Sequence, residues 1–311
     1  STIIDGSDSS TVVSIHRIEE NYINVVHGFT IQNGLGGTHS TNSSMGGGIN
    51  VIKSQAHIKN CIIVNNQGEY GGGIFFNMYG GNSSSVLENS IIHSNQAFNA
   101  GGGLCVANAA AGGNSTQIIN SLFHNNIAIN GGAMRIWGTT SQTKLKNLTV
   151  SNNQVEYGAS GVEILSGSEP PEILNCNIWG NIGGEAQLIT PAGLGTMVTY
   201  SNIEDGWVGT GNIDNNPLFC DALNYNYSLA ENSPLIGAGE DGANIGARGI
   251  GCGQIYNGPV WYVKTTGSNT NFGSSQSPFR NIAFALNHAG LGDTVLVSPG
   301  TYFENINIYP K

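Results

Sequence analysis

The chain has 311 residues, of which 46 are glycine and only 10% are charged, and its net charge of −10 is set against ten Lys plus Arg. So few cations exclude a nucleic-acid-binding surface, which needs clustered positive charge. They also weaken any reading with polyuronates or sulfated glycans as partners, unless calcium supplies the positive charge.

No apolar run approaches the ~20 residues of a membrane span, and 39% apolar residues in a regular period exclude a disordered chain. Residues 1–34 read as short coils, with apolar residues alternating in 1–6, 11–15 and 25–34, the period-2 signal of strands. Because Ser1-Thr2-Ile3-Ile4-Asp5-Gly6 reads as the middle of a β-coil, the gene product is expected to start upstream. Residues 35–45 form a polar excursion from the coil wall.

From Gly46 to Asn181 two phrases recur. Gly46-Gly47-Gly48-Ile49 returns at Gly71, Gly101 and Gly131 and fades at Gly158. Out of phase with it, Asn60-Cys61-Ile62-Ile63-Val64-Asn65-Asn66 returns from Asn89, Asn120, Asn147 and Asn175, at spacings of 29, 31, 27 and 28. A period of this size predicts a solenoid. The apolar runs are too short for helices, and Asn and Gly, which tolerate left-handed backbone, punctuate each one. Stacked coils of short strands share one core, so the expected fold is an all-β parallel β-helix. Asn65, Asn95, Asn125, Asn152 and Asn181 are expected to stack as a corner ladder, each amide bonding the coil above and below. Ile62, Ile91, Leu122, Leu148 and Ile178 are expected to form one inward column.

These two phrases resemble the right-handed parallel β-helix repeats of the pectate-lyase-like superfamily, over nearly the whole chain. That superfamily includes polysaccharide lyases, hydrolases, adhesins and phage spikes, so the resemblance implies a fold rather than an activity.

The repeats are longer than a minimal coil, which places loop insertions at 77–85, 108–116 and 138–143. All three follow the Gly-Gly-Gly strand and so stack into one ridge, either a binding face or plain polar surface. Two further coils follow in 182–219. The run from Asn216-Pro217-Leu218-Phe219 to Asn244-Ile245-Gly246-Ala247 resembles the closing segment of secreted bacterial β-helix proteins and is expected to cover the last coil. Cys61, Cys105 and Cys176 sit inside apolar runs and read as buried free thiols. Cys220 and Cys252 lie in the irregular segment, where a disulfide between them closes a 33-residue loop and implies an oxidising compartment.

The expected body is 1–253, with a Gly/Pro linker at 254–260. Val260-Trp261-Tyr262-Val263-Lys264 then reads as a strand, Ser277-Pro278 as a helix start, and Ile282, Ala283 and Leu286 as its apolar face before Gly290. A strand at 294–297 and further runs at 298–302 and 306–308 follow. Residues 261–311 resemble the N-terminal cap and first coils of a following β-helix. Folding back over the chain's own first coil is disfavoured. Eight or nine coils at ~4.8 Å make roughly 40 Å, and residues 250–260 reach roughly 36 Å at most.

Chemistry is sparse. A lyase on this fold needs a Lys or Arg base near calcium-binding carboxylates. Arg135 beside Trp137 is the best candidate base, yet no Asp lies between Asp8 and Asp205. Glu69, Glu88, Glu156 and Glu163 are the nearby acids. A hydrolase wants neighbouring Asp residues, and Asp205, Asp214, Asp221 and Asp241 are spread along the closing region. His93 and His124 share one slot in successive repeats and are expected to stack about 5 Å apart, with no third metal ligand at that phase. Tyr70, Phe75, Phe76, Tyr79, Trp137 and Tyr157 make either a sugar-stacking strip or core. The sequons at Asn42, Asn82, Asn114, Asn147 and Asn226 matter only in a eukaryotic secretory host.

The leading expectation is an extracellular structural or adhesive module that meets its neighbours head to tail. The alternative is a carbohydrate-active or glycan-binding β-helix. No cofactor is expected beyond calcium, and the partners are other copies or surface glycans.

Overall fold

The computed structural model describes residues 2–16, 22–36, 45–78, 84–108, 115–193 and 195–308. The chain divides into two compact units, one of residues 1–229 and 233–250, the other of residues 230–232 and 251–311. The first is a parallel β-solenoid. Its walls are one eight-stranded sheet, two seven-stranded sheets and one four-stranded sheet.

The eight-stranded wall starts at Thr2–Asp5 and Phe29–Gln32 and climbs through Ile62–Val64, Ile91–His93, Leu122–His124, Thr149–Ser151 and Asn177–Trp179 to Asn202–Ile203. Its register fixes the core. Ile31, Ile63, Ile92, Phe123, Val150, Ile178 and Ile203 stack in successive coils and are all but fully buried. The expected inward column is therefore one residue out of phase. Ile62, Ile91 and Leu122 align with one another on the outer face, while Leu148 belongs to the corner before the strand. Only Ile178 was correctly placed. A one-residue slip sends a side chain through the wall, because the strand period is two.

The ladder shows the same slip at three positions. The buried stack is Asn66, Asn95, Asn126, Asn153 and Asn181, and each amide donates to the next carbonyl oxygen at 2.8–3.0 Å. Gln187 ends it, accepting from Asn181 at 2.8 Å. Asn65, Asn125 and Asn152 instead hold the left-handed corner, at φ 55°, 56° and 56°. Where a phrase ends in one Asn, Ser94 or Gly180 takes that corner and the Asn turns inward. The pair Asn-Asn thus splits two duties. The first residue tolerates αL backbone, and the second saturates buried donors and acceptors.

The glycine phrase has steric reasons of its own. Gly71, Gly101 and Gly131 have φ of +60° to +68°, and a Cβ on Gly72 would lie 2.4 Å from Gln96 backbone in the next coil. Coils meet too closely there for any side chain.

The segment after residue 213 starts against the last coil, where Asn215 donates to Asn202 Oδ1 at 2.9 Å. It then runs back along the outside of the eight-stranded wall, where Gly246 donates to Asn175 O at 2.8 Å and Ala247 to Thr149 Oγ1 at 2.9 Å. Leu229, Leu235 and Ile245 form their own small core. This covering explains why Leu122, Thr149 and Asn177 are buried although they face outward.

Candidate functional site

Under that returning segment lies a cavity of about 270 Å³, lined by Ile62, Ile91, Leu122, His93, His124, Tyr225, Tyr227 and Arg248, with Asn226 and Ser228 beside them. The wall register sets His93 directly on His124. Their rings stack at 4.7 Å and 5°. Tyr225 and Tyr227 close on His124 at 5.2 and 5.0 Å. Burial holds His93 below the usual histidine range and pushes His124 down to about 4, with the Asn125 hydrogen bond opposing and His93 and Arg248 adding to the fall. Both imidazoles are therefore neutral near pH 7. Desolvation also lowers the pKa of Arg248.

On another wall, Phe75, Cys105, Arg135 and Glu163 align along the outer face. Arg135 Nε lies 3.1 Å from Glu163 Oε2, and its guanidinium sits 4.8 Å from the Trp137 ring centre. The pair is a charge contact rather than an aligned hydrogen bond, since neither atom has a hydrogen-bond partner. Burial raises the Glu163 pKa, Arg135 lowers it and Glu185 raises it. Tyr70 packs between Phe75 and Trp137 at 6.2 and 5.6 Å. The candidate base Arg135 is thus a mostly buried, ion-paired arginine. Phe75 and Phe76 are buried, Tyr157 is exposed, and Tyr79 lies outside the described residues.

The second unit pairs Val260–Val263 with Thr294–Val297 in parallel, beside the short helix Ile282–His288. The helix starts later than Ser277-Pro278. Phe279 donates to Tyr262 O and accepts from Lys264 N, both at 2.9 Å, so its backbone belongs to a strand bridge. Asn281 makes no side-chain cap. The Glu304 carboxylate does that work, accepting from Ile282 N and Ala283 N at 2.8 and 2.9 Å. Trp261 and Phe279 stack at 5.8 Å over Ala285 and Val263. Residues of the expected linker are held too: Ile255 exchanges hydrogen bonds with Asn232, and Tyr256 packs edge-on against Trp261. On this unit a cavity of about 430 Å³ is lined by Leu286, Leu291, Val295 and Ile308. Leu291, Leu296 and Ile308 are exposed.

Residues 265–308 match a family described as "Protein of unknown function (DUF1565)", which is a parallel β-helix family. That match lies within the second unit, and the stacked parallel sheets of the first decide the fold. The chain is a parallel β-helix protein, consistent with the right-handed type. Over 51 residues it is 39% identical to "Uncharacterized protein YwoF" of Bacillus subtilis (strain 168), which covers 16% of this chain and 11% of that protein. The chain thus spans about a tenth of the length of the curated relative it matches. No solved structure matches it.

In this β-helix Cys61, Cys105 and Cys176 are buried free thiols, and Cys220 and Cys252 are disulfide-bonded. Burial pushes the Cys176 thiol up to about 12, as befits a small hydrophobe. Most of two insertion loops, at 79–83 and 109–114, and the sequons at Asn42, Asn82 and Asn114 lie outside the described residues. Asp221 caps the turn Ala222–Asn224. Among the described residues no three His, Cys, Asp or Glu side chains cluster as metal ligands, and no helix is long and apolar enough to cross a membrane. Tyr225, Tyr227 and Arg248 were missed by sequence reasoning. Their signal is faint: a Tyr-Asn-Tyr triplet, and the lone cation of the 213–250 stretch.

Proposed function

We propose that this β-helix is an extracellular structural module whose 251–311 unit seats on the first coil of a second copy, giving a head-to-tail array. The observation that carries the reading is the presence of two open strand edges of matching kind. Among the described residues Thr2–Asp5, Val13–His16 and Ile23–His27 each stand last in their sheets, with Ile3, Ile23 and Val25 58%, 61% and 57% exposed. Thr294–Val297 pairs, among the described residues, only with Val260–Val263, and its Leu296 is 51% exposed.

Parallel edges of this sort recruit a further strand. Joining unlike ends is heterologous and does not close on itself. Charge favours the same pairing. Residues 251–311 carry three cations against two acids, a net +1, so the rest of the chain carries −11. The disulfide and the low content of charged residues support an oxidising, extracellular setting.

Light scattering of the full chain should show mass rising with concentration, and Leu296→Glu and Ile23→Glu should each suppress the rise. A full-length protein that stays monomeric at every concentration refutes the array. The competing carbohydrate-active reading would need Arg135 as its base, and Glu163 already holds that side chain. A polysaccharide screen whose activity is lost in Arg135→Ala would reverse the preference.

A further inference from the structure

We infer that the cavity between the eight-stranded wall and the returning segment is a binding site for a small, ring-bearing monocarboxylate, anchored on Arg248. The reading is independent of the array.

The charge inventory comes first. Arg248 lines the cavity, and no Asp or Glu does. Among the described residues nothing accepts a hydrogen bond from its guanidinium or forms an ion pair with it. A half-buried cation without a counter-charge is costly unless something binds it. The two imidazoles add no charge, because burial keeps them neutral. The site thus presents one positive charge, which suits a monoanion better than a phosphate dianion. A guanidinium fork matches the two oxygens of a carboxylate.

Shape comes second. About 270 Å³ lies just under the ~300–1,000 Å³ of pockets that hold drug-sized ligands, so the occupant is the size of a single ring. Its walls are aromatic and aliphatic, from His93, His124, Tyr225 and Tyr227 to Ile62, Ile91 and Leu122. Such walls favour a flat or ring-shaped body over a bare ion.

Polarity comes third. His124 Nδ1 lies 2.8 Å from Asn125 Oδ1, which also accepts from Tyr227 Oη at 3.5 Å. Nδ1 therefore carries the proton, and Nε2 is left as an acceptor. With a donor fork on Arg248 and an acceptor on the imidazole, the lining suits a carboxylate that also bears a hydroxyl.

The test uses the full chain. Benzoate and glucuronate are titrated by calorimetry beside their neutral counterparts, benzyl alcohol and glucose, and beside inorganic phosphate. A carboxylate should bind at least about tenfold more tightly than its neutral counterpart, and Arg248→Gln should erase that preference. Whichever acid binds tighter tells an aromatic acid from a sugar acid. In the unaltered protein, the ring protons of His93 and His124 should shift on binding while those of His16 and His27 stay still, a readout that does not require the variant to fold. Equal affinity for the neutral counterpart, phosphate binding as well as either acid, a preference surviving Arg248→Gln, or no saturable binding overturns the assignment.

Discussion

Truncating one rung of the ladder, Asn126→Ala, should cost far more than its side-chain volume suggests. Asn126 Oδ1 accepts from Asn95 N at 3.1 Å and from Asn95 Nδ2 at 3.0 Å. Its own Nδ2 donates to Ile92 O and Asn153 Oδ1, both at 2.9 Å. After truncation Asn153 Oδ1 keeps the bond from Asn126 N, at 3.0 Å. Asn95 Nδ2 keeps its bond to Ile63 O at 2.9 Å, but its second N–H and the Asn95 backbone N–H are stranded in a buried site. Each stranded donor costs about 1–3 kcal/mol, so the total is about 4 kcal/mol. Asn65→Gly is the matched comparison. Asn65 is exposed with φ 55°, a backbone that glycine adopts freely, so its replacement should cost no more than about 0.5 kcal/mol. Urea denaturation of both variants, read at constant m, measures the difference. If Asn126→Ala costs less than about 1 kcal/mol, or if Asn65→Gly costs as much, the assignment of duties within the Asn-Asn pair is wrong.

Three more outcomes are expected. Because burial drives His124 down to about 4 in the folded state, the unfolded chain binds more protons between that value and ~6.5. The His124 contribution to stability should then fall by about 3 kcal/mol as pH drops through that window and level off below it, and His124→Phe should flatten much of the decline measured by denaturation at stepped pH. Arg135→Leu should destabilise by about 3–5 kcal/mol by leaving the buried Glu163 unpaired, and adding Glu163→Leu should restore most of the loss in the same assay. Replacing Cys220 and Cys252 together by serine frees a 33-residue loop and should cost about 3–4 kcal/mol, measured as a shift in the denaturation midpoint.

What the sequence disclosed was whatever the repeat wrote more than once. The phrases around Ile62, Ile91 and Leu122 established a parallel solenoid, and the shared slot of His93 and His124 predicted a stack that the structure holds at 4.7 Å. Phase was harder. In Val64-Asn65-Asn66 either Asn satisfies the pattern, and only the left-handed φ of Asn65 decides which one turns inward. The coils that end in Ser94-Asn95 and Gly180-Asn181 held the clue, since one Asn alone must be the buried one. The helix start was misplaced for a tertiary reason: the backbone of Phe279 is taken by Tyr262 and Lys264, and the cap comes from Glu304, 22 residues after Ile282. Tyr225, Tyr227 and Arg248 had no periodic signal, and their approach to His124 depends on a segment doubling back about 100 residues later in the chain.

That division has a physical origin. In a solenoid each coil contacts mainly its neighbours, so a position that repeats is constrained by the same packing in every coil. Asn66, Asn95 and Asn126 have almost no freedom to become anything else. Chemistry specific to this chain is therefore confined to places where the period breaks: the first coil, the returning segment and the 251–311 unit. The two proposals occupy different breaks, which makes them separable in one set of variants. Arg248→Gln should abolish carboxylate binding and leave the concentration dependence of mass unchanged. Leu296→Glu should do the reverse. A variant that moved both readouts would mean that the breaks are coupled through the repeats between them, against the nearest-neighbour character of the fold.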